Sequence, residues 1–332
     1  MSRSLKSTFF LLILSLSVFH IAHAQGIPGV GSPLALLLNP LNPQPGETVS
    51  MSLQSFSISL DQAYITWIVD GKVVAKGTGT KTASAVAGGL GSIKRVEARV
   101  SSPGNGDFSE TASIRPARLS LLWQAATYAP PFYKGKALES FGAAYKIVAM
   151  PEIYGTSGRK IDPHALVYTW KKNDAVQADA SGYGKSSFIS SQSGFVRQGE
   201  DISVDVTSPA DDFTVSAHIA MTPIVPEIHI YEKSPLYGTI YGNEISDRFD
   251  LRNEEITLSA EPYFFSANGK LSSVLGYMWT VNGLSVADPG SKDSLTLRKT
   301  AGSRGSSDVE LSISNSARLL QGANKEIIIR YE

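Results

Sequence analysis

Three sets of residues in this sequence have types and spacings that could do chemistry or bind a ligand. The first is Gly184-Lys185-Ser186, which matches the end of a phosphate-binding loop. That loop also needs a glycine five residues before Gly184, and Asp179 occupies the position. The flanking residues are typical of strands, so no helix N-terminus is expected to face a phosphate. We therefore predict no nucleotide site here.

The second set comprises the ionisable side chains used by hydrolases and metal sites. The sequence has no Gly-x-Ser-x-Gly motif and no cysteine, which excludes that nucleophile elbow and any cysteine nucleophile. The five histidines show no His-Glu-x-x-His spacing, and we expect His218 and His229 to be ordinary strand residues. A glycosidase would need facing carboxylates across a cleft, and nothing in the sequence predicts a cleft.

Two acidic stretches have enough carboxylates to be candidate calcium sites. Neither matches the twelve-residue calcium loop, so we expect solvated loop charges in both. We accordingly predict no metal, no cofactor and no catalytic activity. The stretches are Asp205 with Asp211-Asp212, and Asp247 and Asp250 with Glu254-Glu255.

The third set is a pair of aromatic insertions, each near the start of a predicted domain. Both contain a strand-like run with an aromatic residue, then a Pro-apolar-Tyr turn and a glycine. One interpretation is that their side chains pack against the preceding domain and stiffen the joint. The other is an exposed aromatic platform for a glycan, a peptide or a partner subunit. The candidate binding residues are Trp123, Tyr128, Phe132 and Tyr133 in the first insertion, and Tyr231, Leu236, Tyr237 and Tyr241 in the second.

A threefold repeat supplies the elements that would position these insertions. Trp67, Trp170 and Trp279 are 103 and 109 residues apart, and each lies in a strand-like run that ends in an Asx-Gly or Asn-Asp turn. Such turns are typical of two-residue hairpins. A tryptophan on the third strand of a sandwich is a core residue, so we predict these three to be structural. Alternating strands flank each repeat.

The repeat predicts an all-β chain of three tandem immunoglobulin-like antiparallel β-sandwiches. About 100 residues is the length of one such sandwich. Short proline-bearing links set the boundaries, and we expect them to restrict hinge motion. The predicted segments are a signal peptide at 1–24, a linker at 25–33, and domains at 34–116, 117–223 and 224–332.

The N-terminus has the pattern of an export signal. Arg3 and Lys6 precede an apolar run, and Ala22-His23-Ala24 matches the small-x-small rule for cleavage before Gln25. An uncleaved membrane anchor is the alternative, although the apolar run is shorter than the ~20 residues of a spanning helix. We therefore expect an extracytoplasmic protein: secreted, periplasmic or on the cell surface, and membrane-anchored if the signal is retained.

Charge and composition limit the classes of partner that the protein is expected to bind. The chain has 30 basic and 30 acidic residues, and this balance argues against a nucleic-acid partner. Apolar residues are 42% of the chain, enough for packed cores. The expected partner is an envelope or pilus protein or a surface glycan, with no membrane span after signal cleavage.

At the three tryptophan repeats, from Tyr64, Tyr168 and Tyr277 onward, the chain resembles bacterial Ig-like and PKD-like β-sandwich modules. It departs from the PKD pattern because no Gly-Asp-Gly follows the tryptophan strand. It also resembles exported repeat proteins that some bacteria carry alongside type IV pilus systems. The resemblance implies an adhesin-like or envelope-associated scaffold, with a carbohydrate- or peptidoglycan-binding protein and an accessory subunit of a pilus or secretion assembly as alternatives.

Overall fold

The structure, a computed structural model, describes residues 33–191, 199–210 and 213–332. The predicted signal peptide, most of the linker and Asp211-Asp212 lie outside the described residues. The described chain forms 24 strands in six sheets, together with two single-turn 3₁₀ helices at Pro163–Ala165 and Ala178–Ala180. In the described part, no helix is long and apolar enough to cross a membrane.

The strands of the first repeat form a three-stranded sheet, β1-β2-β5, and a four-stranded sheet, β4-β3-β6-β7. Trp67 is in β3, at the centre of the larger sheet. The seven strands are β1 (Ala35–Asn39), β2 (Thr48–Gln54), β3 (Tyr64–Val69), β4 (Lys72–Thr78), β5 (Thr82–Val86), β6 (Lys94–Ser102) and β7 (Gly106–Ile114).

The second repeat has the same strand order. Its sheets are β8-β9-β13 and β11-β10-β14-β15, with the short β12 also paired to β10, and Trp170 is in β10. The strands are β8 (Arg118–Ala125), β9 (Ala144–Glu152), β10 (Val167–Lys172), β11 (Ala175–Val176), β12 (Gly182–Tyr183), β13 (Ser187–Ser191), β14 (Glu200–Ser208) and β15 (Phe213–Met221).

The third repeat adds two strands to this plan. Its sheets are β17-β16-β19-β22 and β18-β24-β23-β20-β21. The pair of β18 with β24 is parallel, whereas β16 pairs with β19 and β20 with β23 in antiparallel fashion. The strands are β16 (Glu227–Ser234), β17 (Gly238–Glu244), β18 (Arg248–Leu251), β19 (Glu255–Tyr263), β20 (Leu275–Val281), β21 (Leu284–Ser285), β22 (Ser294–Arg298), β23 (Gly305–Asn315) and β24 (Gly322–Tyr331).

This thrice-repeated strand order confirms the prediction of tandem immunoglobulin-like sandwiches. In each sandwich, the indole N–H of the tryptophan donates to a backbone carbonyl oxygen. The acceptor lies in the connection that leads into the next strand of the opposite sheet. Trp67 donates to Thr80 O at 2.8 Å, Trp170 to Lys185 O at 2.9 Å and Trp279 to Lys292 O at 3.1 Å. All three side chains are buried. The Gly184-Lys185-Ser186 segment is therefore part of the packing of Trp170.

The predicted two-residue turns also repeat. Asp70, Asn173 and Asn282 all have positive φ, as type I′ hairpins require. Their side chains have a second function that the sequence did not predict. Each side-chain oxygen accepts the backbone N–H of a residue in the neighbouring strand: Asp70 from Arg95, Asn173 from Asp201 and Asn282 from Asp308, at 2.8–2.9 Å.

The chain divides into two compact units. The described part of the first consists of residues 33–38, Ser50–Ala85 and Arg95–Ala112. The second consists of Asn39–Val49, Val86–Lys94 and Ser113–Glu332, and therefore contains the whole second and third sandwiches. The predicted boundary between residues 223 and 224 falls inside this second unit.

Candidate functional site

The first aromatic insertion contacts the third sandwich. After β8, the chain runs through residues 126–143 before β9 begins. The Tyr128 N–H donates to Phe265 O, and the Phe264 N–H donates to Tyr128 O, both at 2.7 Å. Phe264 has φ +65°, a left-handed conformation that costs a non-glycine residue about 1–2 kcal/mol. The two backbone hydrogen bonds hold this conformation in place.

Aromatic rings from both insertions meet where the first insertion contacts the third sandwich. This contact region is the joint between the second and third sandwiches. Phe132 stacks on Tyr241 with centroids 3.8 Å apart and lies edge-on to Tyr231 at 6.0 Å. Tyr133 lies edge-on to Tyr263 at 5.5 Å and to Phe264 at 5.8 Å. Edge-on and offset pairs of this kind add about 0.5–1.5 kcal/mol each beyond the buried area. These contacts join the first insertion to the following sandwich, an arrangement that neither interpretation of the sequence had predicted.

A buried carboxylate lies beneath the rings. Glu261, in β19, is 1% exposed. It accepts hydrogen bonds from the Tyr128 hydroxyl at 3.2 Å and the Tyr241 hydroxyl at 3.1 Å. Its charge is balanced by Lys270 Nζ at 2.8 Å, which also contacts Asp293 Oδ2 at 3.0 Å. A tyrosine from each insertion therefore shares one ion-pair network.

The pKa shifts follow from this burial and pairing. Burial, and then the charge of Glu261, raise the pKa of Tyr128. Burial lowers the pKa of Lys270, but hydrogen bonds to Glu261 and Asp293 outweigh it and the net shift is upward. Burial likewise opposes ionisation of Asp293, yet hydrogen bonds from Ser291 and Lys270 hold its pKa below the ordinary value. Lys270 and Asp293 are therefore both charged at neutral pH.

A buried amide ties the other side of the joint. The side chain of Gln321, 1% exposed, lies just before β24. Its Nε2 is 2.9 Å from Ser140 Oγ and 2.8 Å from Phe141 O in the insertion. Its Oε1 accepts the Ser266 N–H at 2.8 Å. The backbone joins here too, since the Ile224 N–H donates to Glu139 O at 2.8 Å.

Glu139 has an unusual environment in the insertion. It is 1% exposed, and neither carboxylate oxygen has a hydrogen-bond partner among the described residues. Burial, and then the charge of Glu200, raise its pKa to about 7, while Lys172 opposes the shift. Glu200 itself is paired with Lys172 Nζ at 2.6 Å. The Glu139 carboxyl therefore titrates close to neutral pH.

The remaining candidate residues lie apart from the joint. Trp123 is half-buried in β8, and Lys136 Nζ lies 3.2 Å from its ring centroid in a cation–π contact. Leu236 and Tyr237 form the turn between β16 and β17 and are 85% and 84% exposed. Both of their N–H groups donate to Ser234 Oγ at 3.3 Å. The Ser234 hydroxyl thus fixes the backbone of the turn, while the side chains of Leu236 and Tyr237 face solvent.

The sequence analysis missed Glu261, Lys270, Gln321 and Glu139. One signal was available: the alternation of β19 fails at its end, where Tyr263, Phe264 and Phe265 follow one another and all are buried. A strand end that is buried on every side must be covered by a second surface.

His218 lies in β15 and His229 in β16, where His229 is bracketed by Glu227 and Glu244 at 3.2 and 3.0 Å.

A shallow groove of about 410 Å³ lies on the larger sheet of the first sandwich. Tyr64 and Phe108 line it, together with the ion pair of Glu97 and Arg99 at 2.7 Å. The hydrogen bond from Arg99 holds the pKa of Glu97 below its ordinary value. Among the described residues, no group of three or more His, Asp or Glu side chains could hold a metal ion.

Comparisons with known proteins match no family model and no curated protein. Similar solved structures include three N-terminal domains of the bacteriophage RB49 outer capsid protein Hoc, at 11% identity and a TM-score of 0.26, covering 90% of this chain and 99% of that one. The fibronectin-III array of a RIM-binding protein is 13% identical with a TM-score of 0.32, covering 89% and 95%.

A third similar structure is the SGBP-B protein of the Bacteroides ovatus mixed-linkage glucan utilization locus, in complex with a heptasaccharide. It is 12% identical with a TM-score of 0.21, covering 88% of this chain and 65% of that one. TM-scores this low carry no argument about function or domain arrangement. The fold assignment therefore rests on the sheets described above.

Proposed function

We propose that this protein is an exported, non-catalytic scaffold of immunoglobulin-like sandwiches that binds a protein partner through the hairpin of its third sandwich. The single observation that carries the proposal is the exposure of Leu236 and Tyr237 at the tip of that hairpin. Exposed tyrosine side chains are typical of protein interfaces, because an aromatic ring buries a large area at small entropic cost.

The joint supports the scaffold half of the proposal. Phe132, Tyr133 and Gln321 fasten the second sandwich to the third, so the hairpin belongs to a two-sandwich body rather than to a single mobile module. Export, adhesion and a place alongside a pilus system are further parts of the proposal. They are supported by the signal pattern at residues 1–24 and by the family resemblance.

Affinity capture from the envelope of the source cell tests the proposal. The baits are the wild type, the double variant Leu236→Ser/Tyr237→Ser, and the control Ile189→Ser, which changes a residue 68% exposed on the second sandwich. We expect the wild type and the control to capture the same partner and the double variant to lose it. Equal capture by all three baits would place binding elsewhere and contradict the proposal.

Glycan binding is the second candidate function, and the groove on the first sandwich favours it. Tyr64 offers an exposed ring face for a sugar, and the Glu97–Arg99 pair offers both acceptors and donors for hydroxyl groups. Titration of the protein with soluble β-glucan and chitin oligosaccharides, followed by NMR, checks this. We expect shifts of the Tyr64 and Phe108 amides that Tyr64→Ala abolishes, and an unchanged spectrum would contradict the candidate.

A further inference from the structure

A three-residue segment of the first insertion, residues 139–141, connects the second sandwich to the parts of the chain that follow it. We call this segment the latch. The N–H of Ile224, in the link between β15 and β16, donates to the first carbonyl of the latch at 2.8 Å. Gln321 Nε2 of the third sandwich is 2.9 Å from the Ser140 hydroxyl and 2.8 Å from the last carbonyl of the latch. The latch is therefore part of the joint.

The side chain of Glu139, the first residue of the latch, is buried against the second sandwich. The charges that act on its carboxyl are those of Glu200 in β14 and Lys172 in β10, and its own charge acts on Tyr145 in β9. These three groups bind one another. Lys172 Nζ is 2.6 Å from Glu200 and donates to Ser190 Oγ at 3.2 Å, and the Tyr145 hydroxyl donates to Glu200 at 2.5 Å. They leave the Glu139 carboxyl without a hydrogen bond from any of them.

The charged form of this carboxyl is therefore the unfavourable one. Burying a carboxylate without hydrogen bonds is costly, whereas the neutral acid is buried at a much lower cost. Burial, and then the charge of Glu200, accordingly raise the pKa of Glu139 to about 7. Once Glu139 is ionised, contact with water lowers its free energy.

Water can reach Glu139 at the lowest cost when the latch separates from the second sandwich. The strands that carry the facing groups, β9, β10 and β14, are each hydrogen-bonded to strands on both sides. The latch lies in the connection between β8 and β9, and its one bridge joins Ser140 to Ile224. Connections open at a lower free energy than central strands do. Separation of the latch would also strain its bonds to Ile224 and Gln321, so hydration of the carboxyl and loosening of the joint are coupled.

We propose that Glu139 makes the joint between the second and third sandwiches sensitive to pH, because its neutral carboxyl keeps the latch closed and its ionisation favours release. The closed joint binds the proton more tightly than the open joint does. The joint should therefore be firmest below about pH 4.5 and should weaken as the pH rises to about 7. This device acts at the joint and is separate from the hairpin surface at Leu236 and Tyr237.

Hydrogen exchange of the Ile224 backbone amide, measured by NMR on the full chain, tests this proposal. The protection factor, corrected for the intrinsic exchange rate, reports how often the latch opens. We expect it to fall by about 30-fold between pH 5.5 and pH 8.5 if opening returns the carboxyl to its ordinary pKa. Glu139→Gln should show no such fall, and the control Glu152→Gln should behave as the wild type does.

A second amide separates opening of the latch from unfolding of the sandwich. The Ala149 N–H, in β9, donates to Ser186 O at 2.8 Å and should exchange only on global unfolding. We expect Ile224 to be less protected than Ala149 at both pH values. Equal protection of the two amides would overturn the proposal, because water would then reach Glu139 only when the sandwich unfolds. A protection factor of Ile224 that does not change with pH, or the same change in Glu139→Gln, would also overturn it.

A titration of the wild type needs no variant. The ¹³C resonance of the Glu139 carboxyl, followed by NMR, should have its midpoint near pH 7. A midpoint near the ordinary 4.5 would overturn the proposal, since the closed latch would then not favour the neutral acid.

Discussion

The two aromatic insertions share a Pro-apolar-Tyr turn, yet they have opposite environments. Phe132 and Tyr133 are packed against tyrosines of the third sandwich, whereas Leu236 and Tyr237 face solvent. The difference lies in what the neighbouring sandwich offers. The second sandwich is followed by an aromatic strand end with a paired carboxylate beneath it, and the hairpin of the third has no such surface against it among the described residues. The same short sequence therefore serves as a joint or as an open binding surface, depending on its neighbour.

The largest effect that would sharpen this comparison is at Lys270. The variant Lys270→Met leaves Glu261 and Asp293 buried without their cation, and we expect a loss of about 3–5 kcal/mol in the free energy of unfolding. Urea unfolding followed by tryptophan fluorescence measures it. The matched control is Lys81→Met, which breaks the exposed pair with Asp61 and should cost only about 0–1 kcal/mol. Similar small losses in both variants would contradict a buried ionic network at the joint.

Glu139 allows the joint between the second and third sandwiches to be tested through the pH dependence of stability. Its pKa is about 7 in the folded protein against an ordinary 4.5, so the folded state holds the proton more tightly than the unfolded chain. Stability should therefore fall as the pH rises from about 4.5 to about 7. Glu139→Gln stays neutral, so we expect it to remove this fall and to raise the free energy of unfolding at pH 8 by about 3 kcal/mol.

The control for Glu139 is Glu152→Gln, at a carboxylate that is 37% exposed and pairs with Arg118. It should leave the pH dependence unchanged. A Glu139→Gln variant with the pH profile of the wild type would show that this carboxyl is hydrated and not isolated.

The smallest of the stability effects compares the two turn tyrosines directly. Tyr133→Ala removes two edge-on contacts and the cover of Tyr263, and we expect a loss of about 2 kcal/mol. Tyr237→Ala removes a side chain that faces solvent, and its effect should stay within about 0.5 kcal/mol. Thermal unfolding of both variants checks the pair. Equal losses of stability in the two variants would contradict the comparison, because they would show that the two turns have the same environment.

The fold was largely predictable because its signals are local. The tryptophan strands, the Asx turns and the alternating flanks each depend on a few adjacent residues, and the structure has them in the predicted order. The joint was less predictable because its partners are far apart in the chain. Tyr128 meets Glu261 and Gln321 meets Phe141, and neither pairing leaves a periodic pattern in the sequence. The sequence could identify the insertions, but it could not show which of the two would be covered.

The account depends most on the claim that the insertion fastens the second sandwich to the third. Residual dipolar couplings of the backbone amides, collected for both sandwiches in one aligned sample, test it directly. We predict one common alignment tensor in the wild type and in Tyr237→Ala, and two different tensors in Phe132→Ala/Tyr133→Ala. Different tensors for the two sandwiches in the wild type would contradict the claim.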